Sequence, residues 1–305
     1  NIQLGITVQD NFLKLLPDFE TRIQFKKGES LTLNYNMRNQ FTDVTRLARG
    51  LVFNSYNSLQ YGAPELQNAL SHNLSLLYSS FNLFNYTNVF ARAAYTKNSD
   101  QIRSFTDFES VVRTSTYFNS SFADENFSVF GRIQRTFGKV RTSFNSSFNY
   151  SKINQFIQQI QSVNEGFTQT YTPSIRTNFL VAPNFNLSYR YTITNNLQGE
   201  RQTKFVTRTP SVSFDAYIVE KFTLRSNYSY NVQEQVGANS QSFQIWNASL
   251  SYRKDKDSKW EYEAKATNLL NISSQVRNSA NTISVFNATT FIQPRFITAR
   301  VVYSL

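Results

Sequence analysis

Cysteine is absent from this 305-residue chain, which rules out disulfides and thiolate metal sites. Histidine occurs once, at His72, too few for a histidine-based metal or catalytic centre. Long apolar runs are also missing. None approaches the ~20 residues that a membrane-crossing helix needs, so a helical membrane protein is excluded. No glycine-rich phosphate loop, paired metal ligands or nucleophile elbow occurs. Neither enzymatic activity nor a cofactor is therefore expected. No leader is expected at the start either: Asn1–Gln9 reads as part of a strand, as in a processed or partial polypeptide.

What the chain does have is a two-residue alternation of apolar and polar side chains that restarts about fourteen times. Phe185, Leu187, Tyr189, Tyr191 and Ile193 alternate with Asn186, Ser188, Arg190, Thr192 and Thr194. Successive side chains of a strand point to opposite faces, so each such segment has one greasy and one wet face. The greasy face is rich in Phe and Tyr, of which the chain has 28 and 17. The wet face repeatedly carries arginine: Arg38, Arg92, Arg132, Arg141, Arg176, Arg190, Arg225, Arg253 and Arg300. An arginine facing lipid at mid-membrane costs ~2–4 kcal/mol, so this segregation suits a barrel with lipid outside and water inside. Mean hydropathy of −0.43 fits the same reading, because half of every spanning strand faces water. Arg135 and Arg208 fall on the apolar face, near expected strand ends where long side chains can snorkel.

Connections alternate between tight turns and longer polar loops. Tight turns are expected at 26–30, 137–140, 182–184, 219–221 and 254–259, and long loops at 39–69, 154–168, 195–202, 232–241 and 271–283. Outer-membrane barrels alternate in this way. Trp246, Tyr252, Trp260 and Tyr262 lie near strand ends, where interfacial girdles belong. The expected fold is all-β: an antiparallel transmembrane β-barrel of about fourteen strands here, integral to the outer membrane as one domain over 1–305.

The net charge of +11 has two readings, attraction of anions or a solvated lumen with basic turns. The basic residues are scattered at strand spacing, which favours the second. Nucleic-acid binding is not expected, because alternation puts aromatics and arginines on opposite faces. His72 lies on the apolar face as a structural or interfacial residue, and Glu261 and Glu263 lie on the lumen face beside Lys265. Candidate ligand contacts are Phe53, Tyr56 and Tyr61 in the first long loop, with Arg46 and Arg49 beside them. Aromatic rings supply contact area and arginines orient anionic groups. The competing reading is a loop packed on itself.

Several short motifs occur in order along the chain: Leu16-Pro17 before a strand, Gly62-Ala63-Pro64-Glu65-Leu66 ending the first long loop, and Asp100-Gln101-Ile102 after a strand. Trp246-Asn247-Ala248-Ser249, Asn268-Leu269-Leu270-Asn271 and Pro294-Arg295-Phe296 follow, the last opening the final strand. That strand ends in Tyr303 and Leu305 and resembles the C-terminal assembly signal of outer-membrane proteins, with Leu305 where an aromatic is usual. Together these resemble the C-terminal barrel portion of TonB-dependent receptor-like outer-membrane proteins, in the version common in Bacteroidetes. Ala63 replaces the Asn usual in that family's motif.

The resemblance implies a ligand importer with a 22-strand barrel, an even number within the range of such barrels. It implies an N-terminal plug, a TonB-type energy transducer as partner, and contacts with outer-membrane lipids, the barrel assembly machinery and surface lipoproteins. This chain carries no plug segment. The alternatives are a non-transporting barrel serving as scaffold or translocation-complex subunit, and a small closed passive pore.

Overall fold

The computed structural model describes residues 13–304, apart from 48–49, 110–111, 158–159, 181–182, 219–220, 238, 256 and 281–284. Arg49, Leu305 and the Asn1–Gln9 strand lie outside the described residues. In chain order the strands begin with β1 (Asp18–Lys26), β2 (Glu29–Gln40), β3 (Leu51–Ser55), β4 (Ser58–Tyr61), β5 (Ala69–Asn82) and β6 (Thr87–Ser99). Next come β7 (Gln101–Glu109), β8 (Val112–Ser120), β9 (Asp124–Phe137), β10 (Val140–Ile157), β11 (Ile160–Thr177), β12 (Asn184–Gln198) and β13 (Arg201–Ile218). The chain closes with β14 (Phe222–Gln235), β15 (Gln241–Arg253), β16 (Trp260–Thr267), β17 (Ser274–Ala280), β18 (Val285–Phe291) and β19 (Phe296–Tyr303).

Thirteen of these form one continuous antiparallel ladder, the wall: β1, β2, β5, β6, β9, β10 to β16, and β19. Register follows the faces across the whole wall, since a one-residue slip would swap wet for greasy. All nine segregated arginines fall on one face. Arg38 lies opposite Ser71, Arg141 opposite Arg176, Arg190 opposite Thr209, Arg225 opposite Ser249 and Arg300 opposite Glu263. Pro173 and Pro210 interrupt the pairing on one side without shifting it. Tyr171 with Tyr191 and Ser174 with Ser188 keep one register across the first gap, and Arg208 with Val232 and Ser211 with Ser229 across the second. A proline lacks the N–H that a ladder bond requires, which explains a gap without a slip.

The outward face is bounded at both ends. On β6, β9, β10 and β11 it ends in Tyr95, Phe127, Tyr150 and Phe167, and the next outward residues are Lys97, Glu125, Lys152 and Glu165. From Val140 to Tyr150 is ten residue steps, about 33 Å of strand. Leaning at ~40°, that spans about 25 Å, the height of an apolar band. At the turn end the rings of Phe222 and Tyr252 lie 4.9 Å apart, Tyr252 and Tyr262 6.3 Å, and Trp260 and Tyr303 4.8 Å. Trp246 marks the other end on β15, its indole N–H donating to Ser226. His72 faces outward at the charged margin and bonds the Tyr35 hydroxyl. Arg208 is not at a strand end, because β13 begins seven residues earlier. It is held by an ion pair to Glu234 at 2.7 Å.

Tight turns form as expected at 27–28 and 138–139, whereas 182, 219–220 and 256 of the other expected turns lie outside the described residues; several long loops are shorter than the sequence suggests. β10 runs on to Ile157 and β11 starts at Ile160, and only 199–200 separate β12 from β13. Their polar residues pair as strand beyond the apolar band, where both faces meet water and alternation carries no signal. The remaining motifs act as clamps. Asn268, at φ 51°, is buried; its amide donates to the Ile272 and Gln293 carbonyls and accepts the Ile272 N–H. Asn271, at φ 55°, accepts the Arg295 N–H, fixing the start of β19. Asp100, at φ 52°, bends the chain from β6 into β7.

Replacing Tyr189, on the outward face of β12, by arginine is expected to cost ~2–4 kcal/mol of folding stability in bilayers. The adjacent Ser188→Arg on the inward face should lose only its Ser211 hydrogen bond, ~1 kcal/mol. Urea titrations in lipid vesicles would check the contrast; equal costs would refute the facing. Asn268→Ala should cost ~1–3 kcal/mol in the same titration, because it strands buried backbone groups.

Candidate functional site

Among the described residues no apolar core is packed beneath the inward face. Among the described residues Phe205 and Ala216 are the only buried hydrophobics, and no side chain is fully buried. A closed sheet this wide leaves room for water along its inner wall. The wall offers hydroxyls and amides, with guanidiniums as its principal charged groups.

The arginines divide into two groups. Along β13 to β19 they are neutralised: Arg225 faces Asp215 at 3.7 Å, Arg253 pairs with Glu261, and Arg300 with Glu263 at 2.9 Å. Glu261 and Glu263 therefore pair with these arginines instead of Lys265, because the cross-strand register sets Arg253 and Arg300 directly opposite them. From β2 to β12 the wall differs. Arg38, Arg92, Arg132, Arg141, Arg176 and Arg190 are exposed and find no carboxylate among the described residues. Arg141 and Arg176 are direct cross-strand partners. Like charges placed opposite each other destabilise a sheet, so this pair is a local conflict that a bound anion would relieve.

Further along the same wall lies an apolar exception that the alternation conceals. Phe90 and Phe130 face inward, their ring centroids 5.9 Å apart. Register sets Phe90 opposite Arg132, and Phe130 opposite Arg92. Two aromatic rings and two guanidiniums thus share one patch of wall. The only trace in the sequence is the doublets Val89-Phe90 and Val129-Phe130, where two apolar residues follow one another.

The loop end carries a folded cap. β3 and β4 form a hairpin, β4 pairs in parallel with β8, and β8 pairs with β7. Its base is held by Arg103, which pairs with Asp124 at 2.7 Å, with both side chains largely buried. Arg103 also donates to the carbonyls of Asn154 and Phe122. The rings of Phe118 and Phe122 pack on Phe156 of β10.

Within the cap the first long loop is partly packed on itself. Arg46 stacks over the Tyr117 ring at 4.9 Å, so its guanidinium is engaged. Gln60 is buried and accepts from the Asn54 amide. The remaining candidates stay open: Phe53, Tyr56 and Tyr61 are 70%, 90% and 50% exposed. Phe53 and Tyr61 share one hairpin face with Leu51 and Leu59, whereas Tyr56 lies at the tip. Asp43 starts the 3-10 turn Val44–Leu47, accepting the Thr45 N–H and hydroxyl, both at 2.8 Å. The backbone bond first, then the hydroxyl, hold its pKa below the ordinary carboxylate value. This contact is therefore made at neutral pH and is lost as pH falls through that lowered pKa.

Comparison with known proteins returns one family. A sequence profile described as "Outer membrane protein beta-barrel family" matches residues 2–180, more than half of the chain. No characterised protein and no solved structure matches. An antiparallel wall with a lipid-compatible outer face, an arginine-bearing inner face and this match agree: the chain belongs to the outer membrane protein beta-barrel family and is an integral β-barrel of the outer membrane.

Proposed function

We propose that the chain is the wall of an outer-membrane transporter that draws an anionic ligand through its interior, energised in the manner of TonB-dependent receptors. The observation that carries the anion preference is the unneutralised arginine run, which includes Arg141 directly opposite Arg176. A carboxylate or phosphate bridging both guanidiniums would gain bidentate, charge-assisted hydrogen bonds and remove the repulsion. Focused positive potential between low-dielectric walls also raises the local concentration of anions. The Phe90–Phe130 patch adds affinity for a ligand with an apolar or aromatic body. Energised import is supported by the ordered motifs, whose asparagines and aspartate take up clamp and bend positions in the fold.

One observation favours a second reading, a scaffold for surface proteins. The face of the cap formed by exposed Leu51, Phe53 and Tyr61 beside half-buried Leu59 has the aromatic character of a protein-binding surface.

Ion selectivity in planar bilayers tests the anion preference. The full protein should pass chloride more readily than potassium, and Arg141→Glu with Arg176→Glu should reverse that order. An unchanged ratio would overturn it. Arg176→Gln alone should stabilise the barrel by ~0.2–1 kcal/mol at low salt while weakening the selectivity. Energisation is tested separately by pull-down of the full protein on the periplasmic domain of a TonB-type transducer. Binding is expected; no binding with anion selectivity intact would leave a passive conduit.

A further inference from the structure

Four of the free arginines share one compact region of the inward wall. Asn145 of β10 faces Arg132 of β9 on one side and Thr172 of β11 on the other. Tyr171 opposite Tyr191 and Ser174 opposite Ser188 set Thr172 level with Arg190 of β12 across the proline gap. Arg132 and Arg190 therefore stand at the two ends of one row, three strand spacings or ~14 Å apart. Arg141 and Arg176 face each other four residues nearer the tight turns, ~13 Å along the two middle strands. The four positions outline a trapezoid, wide toward the loops and narrow toward the turns.

The floor between them is short and neutral. Gln134, Ser143, Ser174 and Ser188 form the intervening row. The Ser143 and Ser174 hydroxyls bond each other at 2.6 Å, as do those of Ser188 and Ser211. Small side chains that satisfy one another stay close to the sheet, whereas all four arginines are exposed. Arg132 donates to the Gln134 amide oxygen at 2.6 Å, a contact that leaves its charge in place. Elsewhere the wall places an acid directly opposite each arginine: Asp215 for Arg225, Glu261 for Arg253 and Glu263 for Arg300. Among the described residues no carboxylate pairs with these four, so their mutual repulsion is not offset from within the sheet.

We infer that Arg132, Arg141, Arg176 and Arg190 form one site for a compact polyanion, a ligand carrying three or more phosphate or carboxylate groups within about 14 Å. It rests on the anion preference of the lumen and adds the number and spacing of the ligand's charges. An anion with a single acidic group can bridge Arg141 and Arg176, but it leaves Arg132 and Arg190 unanswered. A polyanion engages the narrow end with one group and the wide end with the others. Once the first group is bound, the rest meet their arginines at the high effective concentration of tethered groups. Arginine side chains are long enough to swing toward the centre, and their planar forks accept both kinds of acid.

Calorimetric titration of the full protein in detergent tests the site, with inorganic tripolyphosphate as probe and inorganic phosphate as the single-group comparison. Tripolyphosphate should bind roughly tenfold more tightly than phosphate, or better. Arg132→Gln with Arg190→Gln should remove that advantage and leave phosphate binding unchanged, because Arg141 and Arg176 remain. Arg38→Gln, three strands away on β2, should alter neither. Heat-modifiable gel mobility checks that each variant folds. Citrate is titrated as the carboxylate probe; the tighter of the two polyanions assigns the ligand's acidic groups, and either order supports the site. Two results would overturn it: equal affinity for tripolyphosphate and phosphate, or a loss with Arg38→Gln as large as that of the double variant, the mark of a diffuse potential. Chloride preference in planar bilayers reads the lumen separately. Retained alongside either result, it leaves the anion conduit standing while the polyanion site falls.

Discussion

Hydrocarbon offers a backbone nothing to hydrogen-bond with, and the architecture follows from that constraint. Each strand inside the wall finds its partners in the strands on either side, and every pairing is antiparallel because tight turns join most neighbours. The same medium penalises charge, which is why nine arginines share the inward face across eleven registers of pairing. Where an outward strand leaves the band, the penalty disappears within two residues. Tyr95, Phe127 and Tyr150 give way to Lys97, Glu125 and Lys152 on the same face.

With lipid outside and no packed layer inside, stability cannot come from a buried core. It comes from the ladder, from the outward apolar band and from a few polar clamps at the strand ends. Asn268, Asn271 and the Arg103–Asp124 pair hold the chain where it turns out of the sheet. This division frees the inward wall from packing duties. Arg141 and Arg176 can face one another there, and Phe90 and Phe130 can face water, because neither arrangement has to hold the barrel together.

Much of the wall was legible in the sequence. Period-two alternation is imposed by strand geometry and read out by lipid, so strand identity, facing and the arginine side all follow from spacing. The tight turns were legible for the same reason. The long loops were read less well. Beyond the band both strand faces are solvated, so the polar residues of 152–165 look like loop although they pair as strand. The cap was invisible because β3 and β4 are short and its four strands come from two different connections. Arg46 looked like a free ligand contact, but only the fold brings Tyr117 beneath it.

By itself, then, the order of residues determined the class of structure, its membrane setting and the facing of each strand, because each depends only on neighbours two positions apart. Register between strands decided the rest. It set Arg141 opposite Arg176, gave Glu261 and Glu263 their arginine partners, and joined two phenylalanines forty residues apart into one patch. Those juxtapositions cross from strand to strand through hydrogen bonds that no local pattern encodes, so only the assembled sheet could decide them.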